Sequence, residues 1–323
     1  MTSKILIIKL GDLAEFIQML PAAKLVRERH VGARITLLTT EPFQAFAERC
    51  PLFDVVEADG RPRDAKGMVD LIARIRAARY EMIYDFHNSP RTNNYFQALR
   101  PNPPPWSGTA PNCAHLHSDP DRARMNASDR MVAQVLAAGP ARERQRRDAP
   151  PPDLSWVRRV WRDPPRLQPE FFGLKHPYVL LIPAKTGWPD GAHAALAQKI
   201  AARGAAPAII AGHEERDRAA AIARAEPKAK NLALRADLFQ IAALAERAAF
   251  AVGEGSGLMH LAAAAGAPSL VLFSRAQDPE RNAPRSRRGA ATLTADSLDD
   301  LPVDDVERAL QNLGAFADVR LAS

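Results

Sequence analysis

Two carboxylates stand three residues apart near the start of the chain, in the stretch GDLAEFIQMLP at residues 11–21. The apolar run KILIIKL before them (4–10) is typical of a strand, and the residues after them follow a helical pattern. At such a junction a carboxylate can act as a general base, or it can be an ordinary charge in the first turn of a helix. Asp12 and Glu15 are therefore candidate catalytic residues, with helix capping as the alternative for Asp12.

A second candidate site lies in VGEGSGLMHLAAAAG (252–266), where a predicted strand leads through a glycine-rich turn into a helix. The free N–H groups at the start of that helix, near Ser256 to Met259, can bind phosphate. The alternative is a tight turn in which Ser256 only caps the helix. His260 shares the helix face of Ser256 and is either a ligand-binding or a structural residue.

Several other kinds of site are disfavoured. The chain has no GxxxxGK[ST] loop and no strand followed by GxGxxG, which argues against P-loop and nicotinamide-binding proteins. A serine hydrolase is not supported, because no G-x-S-x-G elbow follows a strand. His115 and His117 have H-x-H spacing without a recognisable third ligand, so no metal is expected. Cys50 and Cys113 are far apart and indicate neither a disulfide framework nor a zinc site.

The chain has 323 residues, of which 46% are hydrophobic, and a formal net charge of +7. The charge favours anionic partners, but the basic clusters RERQRRD (142–148) and RSRR (285–288) lack interleaved aromatic residues, so nucleic acid is not expected. A solvated basic face and a phosphorylated or membrane-surface substrate both remain open. No apolar stretch approaches the roughly 20 residues of a membrane span, and the N-terminus lacks a signal-peptide cleavage site. We therefore expect a cytoplasmic protein.

Strand-like and helical segments alternate twice along the chain, which is typical of parallel sheets covered by helices on both faces. The predicted strands are 4–10, 33–40, 53–58 and 81–86 in the first series, and 178–183, 206–212, 249–255 and 268–274 in the second. Residues 101–125 are too rich in Pro and Asn for regular structure. We expect an α/β protein with two doubly wound domains, 1–150 and 177–323, joined by the Pro-rich residues 151–176. Ligands should bind in a cleft at the carboxyl ends of the two sheets.

Four stretches, spread over essentially the whole chain, carry the pattern of a known family: ILIIKLGDLAEFIQMLPAAKLVRERHVGARITLLT, YDFHNSPRTNNYF, LLIPAKTGWPDGAHAALAQKIAARG leading into IIAGHEERDRAAAIA, and AVGEGSGLMHLAAAAGAPSLVLF. They resemble glycosyltransferase family 9, the heptosyltransferases of lipopolysaccharide core assembly. The resemblance implies the GT-B fold, in which two Rossmann-like domains face a central cleft. It also implies transfer of heptose, with inversion at the anomeric carbon, from ADP-heptose to a sugar hydroxyl of the lipid-anchored core.

The family's catalytic base is an Asp that directly follows a Gly, six residues before the Pro of an LP pair. Counting back six residues from Pro21 gives Glu15, which follows Ala14. The resemblance therefore implies that Glu15 is the base, while the Gly11-Asp12 pair stands three residues too early. Asp12 is expected to cap the helix or to serve as a nearby carboxylate.

On the donor side the resemblance is less complete. The family's Asp-Thr/Ser-Gly corresponds to Gly255-Ser256-Gly257, so the Asp is missing and Glu254 is adjacent to its position. The family's Lys or Arg directly before Trp-Pro is also missing, and Lys185 is the nearest cation. The resemblance implies acceptor-binding roles for Lys9 and Arg91, with surface ion pairs as the alternative, and donor-binding roles for Lys185, Thr186, Glu214, Glu215, Glu254, Gly255, Ser256, Gly257, Leu258, Met259 and His260.

The sequence thus predicts an inverting glycosyltransferase that uses a nucleotide sugar, with ADP-heptose as the expected donor and no further cofactor required. Its expected acceptor is a lipid-anchored glycan at the inner face of the cytoplasmic membrane. The departures on the donor side and at Glu15 leave two alternatives open. The first is the same fold with a different nucleotide-sugar donor, and the second is a catalytically weak or inactive paralogue that acts as a binding or regulatory protein.

Overall fold

The computed structural model describes residues 2–140, 148–160 and 164–314, so most of the basic cluster at 142–148 lies outside the described residues. Contacts divide the chain into two compact units, Met1–Pro150 and Pro151–Ser323. Each unit contains one six-stranded sheet. Within the described ranges, no helix has both the length and the apolar character needed to cross a membrane.

The sheet of the first unit has the strand order β3-β2-β1-β4-β5-β6. Its strands are β1 (Lys4–Ile8), β2 (Arg34–Leu38), β3 (Val55–Glu57), β4 (Met82–Asp85), β5 (Trp106–Gly108) and β6 (His115–Leu116). Its helices are α1 (Leu13–Arg29), α2 (Gln44–Ala47), α3 (Ala65–Ala78), α4 (Pro90–Ala98) and α5 (Ala127–Ala137), with a 3-10 turn at Glu41–Phe43. All these strands pair in parallel. Strand order reverses between β1 and β4, and α/β sheets bind ligands at the carboxyl ends of strands beside such a switch point.

The sheet of the second unit has the parallel order β12-β11-β10-β7-β8-β9. Its strands are β7 (Tyr178–Ile182), β8 (Ala206–Ile209), β9 (Lys230–Asn231), β10 (Phe250–Glu254), β11 (Ser269–Ser274) and β12 (Ala290–Ala295). Its helices are α6 (Val157–Val160), α7 (Asp190–Ala202), α8 (Arg216–Ala225), α9 (Leu238–Arg247), α10 (Gly257–Ala265), α11 (Pro279–Asn282) and α12 (Val303–Asn312), with 3-10 turns at Pro164–Leu167, Pro169–Phe172, Arg275–Gln277 and Leu298–Asp300. Every residue of β7 and β10 is buried, as expected for central parallel strands, and these two strands form the switch point.

The α/β architecture predicted from the alternation is confirmed. The expectation of irregular structure over residues 101–125 is wrong, because this segment contributes β5 and the edge strand β6. Burial explains the difference: the Trp106 ring is fully buried and lies 5.5 Å from the ring of Phe96, centroid to centroid. Such packing outweighs the low strand propensity of the surrounding Pro and Asn residues.

The Pro-rich segment after residue 150 also packs more closely than its composition suggests. Trp156 is buried and meets the ring of Phe239 edge-on at 6.4 Å between centroids. Arg247 donates a hydrogen bond to the carbonyl of Leu167 at 2.9 Å. The described part of residues 151–176 therefore belongs to the second unit, against α9, rather than forming a free connection.

Gly253 of β10 approaches β7 so closely that an ideal Cβ would lie 2.0 Å from the carbonyl oxygen of Ile182. We predict that Gly253→Ala lowers the unfolding free energy by about 1–3 kcal/mol, because the two central strands must move apart. Gly191→Ala in α7 is the matched control, since nothing lies within 4 Å of its ideal Cβ. Urea unfolding followed by circular dichroism measures both variants, and equal midpoints would contradict the prediction.

Candidate active site

The first unit has a cavity of about 1530 Å³ at the carboxyl ends of β1 and β4. The loop after β1, the start of α1 and the segments after β2 and β3 form most of its wall, and His87 and Arg91, which follow β4, also line it. Its charged and titratable lining includes Asp12, Glu15, Glu41, Asp59, Arg61, Arg63, His87 and Arg91. The cavity is therefore large enough for a glycan and lies where the topology of the sheet predicts a ligand.

Asp12 is the N-cap of α1. Its Oδ1 atom accepts a hydrogen bond from the backbone N–H of Glu15 at 2.9 Å, which satisfies one of the free donors at the helix end. The capping role predicted for Asp12 is confirmed. Because the Asp12 carboxylate accepts this backbone hydrogen bond, its position favours helix capping over direct catalysis.

Glu15 lies in the first turn of α1, and its side chain is 41% exposed. The carboxylate folds back over Gly11: an ideal Cβ at Gly11 would lie only 1.3 Å from Glu15 Oε2. A glutamate therefore fits at this position because residue 11 has no side chain. Oε2 itself is shielded from solvent and lies 3.4 Å from Lys9 Nζ and 3.8 Å from His87 Nδ1.

Lys9 supplies the cation beside Glu15. Its side chain is 4% exposed, and Nζ donates a hydrogen bond to the carbonyl of Phe86 at 3.1 Å. Burial lowers the pKa of Lys9, and the charge of Glu15 partly offsets that effect. Lys9 does not line the cavity, so its burial contradicts the acceptor-contact role expected from sequence. The ammonium group instead positions the Glu15 carboxylate.

The end of β4 turns sharply toward the cavity. Asp85 is fully buried, and its Oδ1 accepts hydrogen bonds from the backbone N–H groups of His87 at 3.0 Å and Asn88 at 2.9 Å. Asn88 adopts the left-handed conformation with φ of 49°, and its side chain donates to Gln134 Oε1 at 2.8 Å. Gln134 in turn donates to the carbonyl of Asp85 at 2.9 Å. This network fixes the backbone that carries His87.

Three guanidinium groups line the cavity: those of Arg61, Arg63 and Arg91. Arg61 Nη2 lies 3.5 Å from His87 Nε2, and Arg91 donates to the carbonyl of Pro62 at 3.4 Å. Among the described residues, no carboxylate forms an ion pair with any of the three. The structure therefore places the predicted residue Arg91 in a cationic group with Arg61 and Arg63. Sequence reasoning missed these two, because they stand in a loop with no recognisable motif.

In the second unit, Glu254 ends β10 and is fully buried. Oε1 accepts from the backbone N–H of Trp188 at 2.6 Å and lies 3.2 Å from His193 Nε2, while Oε2 accepts from the backbone N–H of Ala184 at 3.0 Å. Burial by itself raises the pKa of Glu254, but the His193 contact and the N–H groups outweigh it, so the net shift is downward. The expected direct donor contact of Glu254 is contradicted by this burial. Glu254 holds the loop after β7.

Arg218 of α8 secures the same loop from the other side. Its Nε donates to Asp190 Oδ1 at 2.7 Å, and its two Nη atoms donate to the carbonyls of Ala184 and Trp188. Sequence reasoning missed Arg218, because its partners are about thirty residues away and no motif connects them. Glu254 and Arg218 together fix the backbone on both sides of Lys185.

Two departures from the family pattern have a packing explanation. An ideal Cβ at Gly187, where the family has a cation, would lie 2.5 Å from Glu254 Oε1. An ideal Cβ at Gly255, where the family has an Asp, would lie 2.6 Å from Phe273 Cε1. Neighbouring side chains therefore fill both spaces, and neither the cation nor the carboxylate fits there without rearrangement.

The remaining predicted donor-side residues lie at the carboxyl ends of β7, β8 and β10 of the second unit. Lys185 Nζ and Glu214 Oε2 form an exposed ion pair at 3.3 Å, and Thr186 is also exposed. The Glu215 carboxylate lies over Gly212, with Oε2 2.9 Å from its ideal Cβ. The structure thus brings Lys185 and Glu214 together, and their donor-binding roles stay predictions.

Ser256 caps α10, since its Oγ accepts the backbone N–H of Met259 at 3.3 Å. Gly257 and Leu258 are partly exposed at the helix start, where backbone N–H groups lack partners within the helix. The side chains of Met259 and His260 are buried, which leaves only the backbone N–H of Met259 for the predicted donor contact and favours the structural interpretation of His260.

Within the described part of the chain, no cluster of three or more His, Cys, Asp or Glu residues is arranged to hold a metal ion. Of the H-x-H pair, His115 lies in β6, and His117 is buried, with Nδ1 accepting from Arg122 Nε at 3.2 Å. Burial, reinforced by the charge of Arg122, lowers the pKa of His117 to about 4.

The sequence profile of glycosyltransferase family 9 (heptosyltransferase) matches residues 68–298. With the two α/β units, this match defines the protein as a glycosyltransferase. The chain belongs to glycosyltransferase family 9. No curated protein sequence matches it.

Solved structures of three bacterial proteins share the fold. A family 9 glycosyltransferase from Veillonella parvula has a TM-score of 0.80 at 17% identity, covering 96% of this chain and 97% of its own. The E. coli ADP-heptose lipopolysaccharide heptosyltransferase II has a TM-score of 0.79 at 18% identity, with coverages of 96% and 98%. E. coli heptosyltransferase WaaC with ADP has a TM-score of 0.73 at 17% identity, with coverages of 96% and 99%. The predicted GT-B fold class is confirmed.

Burial raises the pKa of Asp85 from 3.8 to about 6, although the N–H bonds from Asn88 and His87 oppose the shift. The folded state therefore binds the proton more tightly than the unfolded state. The unfolding free energy of the wild type, relative to Asp85→Asn, should fall by about 2 kcal/mol as pH rises from about 4 to about 6, and by about 3 kcal/mol in total from well below the lower pKa to well above the higher one. Urea unfolding at a series of pH values measures this difference, and parallel pH profiles of the two proteins would contradict it.

Proposed function

We propose that the protein is an inverting glycosyltransferase that moves a sugar from a nucleotide diphosphate to a hydroxyl group of an anionic glycan. The observation that carries the proposal is the Glu15 carboxylate, which lines a large cavity together with three guanidinium groups. A general base is required in such a reaction. Unpaired cations nearby are suited to a negatively charged acceptor.

In the proposed reaction the acceptor hydroxyl oxygen attacks the anomeric carbon of the donor sugar. The new carbon–oxygen bond forms as the bond to the diphosphate breaks, and the diphosphate leaves with the electron pair. Glu15 takes the proton of the hydroxyl group. Attack from the face opposite the leaving group inverts the anomeric carbon, and no covalent enzyme intermediate is needed.

The acceptor side is cationic. Arg61, Arg63 and Arg91 line the same cavity as Glu15, and none of them is neutralised by a described carboxylate. Guanidinium groups bind phosphate and carboxylate groups in paired geometry. We therefore propose a phosphorylated or carboxylated glycan as the acceptor, lipid-anchored at the inner face of the membrane. The net charge of +7 supports association with an anionic surface.

The donor side is proposed to lie in the second unit. The free N–H groups at the start of α10, beginning at Gly257, favour a diphosphate. Lys185 can add a charge, because its exposed ion pair with Glu214 contributes little stability and can open when a ligand arrives. Glu214 is then available to a ribose hydroxyl. The E. coli WaaC structures contain ADP and ADP-2-deoxy-2-fluoro heptose, and this supports ADP-heptose as the first donor to test.

A different nucleotide-sugar donor is the second candidate. Glu254 fills the space beside Gly187, and Phe273 fills the space beside Gly255, so both altered family positions fall on the donor side. A different donor would account for the glycines at both positions, and Glu15 would still act as the base. A thermal-shift panel of ADP-, GDP-, UDP- and dTDP-sugars distinguishes the two donors.

Replacement of Glu15 by Gln should lower kcat by about 10²–10⁴, because a general base contributes that much, while donor affinity is retained. Ser256→Trp should abolish donor binding, since the indole covers the start of α10. Glu28→Gln is the control, as Glu28 is an exposed residue of α1 that forms an ion pair with Lys24 away from the cavity lining. Product formation with purified protein, measured by mass spectrometry, gives kcat.

Full turnover by Glu15→Gln would contradict the base assignment. Donor binding without turnover by the wild type, across the whole donor panel and several phosphorylated core acceptors, would contradict the proposed enzyme activity. It would instead identify an inactive family member that acts as a binding or regulatory protein.

A further inference from the structure

Two shielded polar atoms face each other beside the cavity. Glu15 Oε2 and His87 Nδ1 lie 3.8 Å apart; Oε2 also has the Lys9 ammonium at 3.4 Å, whereas Nδ1 has no hydrogen-bond partner in the described structure. The side chain of His87 is only 12% exposed, whereas that of Glu15 is 41% exposed. Because Oε2 is shielded, Oε1 is the carboxylate oxygen that can meet a substrate.

The other ring nitrogen of His87 indicates where the ring proton lies. Arg61 Nη2 approaches Nε2 at 3.5 Å, and a guanidinium group can only donate. Nε2 therefore accepts, which leaves the proton on Nδ1, opposite Glu15. Burial and the nearby charge of Lys9 lower the pKa of His87 to about 4, so the ring is neutral at pH 7 and carries one proton.

The backbone of His87 is held independently of its ring. Its N–H donates to the carbonyl of Ile8 at 3.1 Å and to Asp85 Oδ1 at 3.0 Å. Substitution of the ring therefore leaves the turn after β4 with its main hydrogen bonds. The role of the His87 side chain can therefore be tested by substitution while the backbone of the site is retained.

We propose that His87 is a positioning residue for Glu15: its Nδ1–H group faces Oε2 at 3.8 Å and, together with the Lys9 ammonium, keeps that oxygen in place electrostatically, so that Oε1 faces the acceptor hydroxyl in the cavity. The inference rests on the proposed function, since it assigns a purpose to a carboxylate that acts as the base. A glutamate has one more rotatable bond than the aspartate of the family. Lys9 and His87, which lie in two different loops, together restrict rotation about this additional bond.

Two substitutions separate the positioning role from a structural one. His87→Asn keeps an N–H donor near the place of Nδ1, whereas His87→Gln moves the donor toward the place of Nε2. We expect His87→Gln to lower kcat by about tenfold to a hundredfold with an unchanged KM for the acceptor, because a misplaced base slows the chemical step. His87→Asn should recover most of the wild-type kcat. Equal kcat values for wild type and both variants, or equal losses in both variants, would overturn the proposal.

A spectroscopic measurement tests the same proposal without turnover. Long-range proton–nitrogen NMR of the wild type at pH 7 should show His87 protonated on Nδ1, and Glu15→Gln should shift that nitrogen resonance. Protonation on Nε2 would overturn the positioning role even in an active enzyme. An inactive wild type with His87 protonated on Nδ1 would contradict the proposed function instead, so the two failures are distinguishable.

Discussion

The contact between the buried ammonium of Lys9 and the carboxylate of Glu15 is the interaction on which the proposed site depends. A buried ammonium group needs a nearby anion and hydrogen-bond acceptors, and Lys9 has Glu15 and the carbonyl of Phe86. This requirement brings the ends of β1 and β4 together with the first turn of α1. It also requires Gly11, since any side chain there would occupy the space of the Glu15 carboxylate.

The second unit also contains a buried charged group, in this case a carboxylate. Glu254 is a buried carboxylate at the end of a central strand, and two backbone N–H groups together with His193 satisfy it. Its volume excludes any side chain at Gly187, where the family has a cation. The proposed donor side is therefore organised around a buried charge, while the proposed acceptor side has a carboxylate at the position that the resemblance implies. A change of donor is consistent with such unequal change.

Local patterns predicted the features that depend on neighbours in sequence. The alternation gave the two parallel sheets, and capping preferences gave Asp12 and Ser256. The family resemblance, through the spacing from Pro21, selected Glu15, one of the carboxylates that line the cavity. Contacts between segments that are far apart in sequence could not be predicted from local patterns. The burial of Lys9 and Glu254 and the partners of Arg218 depend on residues tens of positions away. The strand at Trp106 was missed because burial, not composition, stabilises it.

The most direct test of this account is the kcat of Gly11→Ala, measured with the donor and acceptor that the wild type uses. An alanine Cβ would lie 1.3 Å from the present position of Glu15 Oε2, so the carboxylate must leave its place between Lys9 and the cavity. We expect a loss in kcat of at least about a hundredfold, with donor affinity unchanged, because the base is displaced by more than about 1 Å. A Gly11→Ala enzyme with wild-type kcat would contradict the assignment of Glu15 as the base.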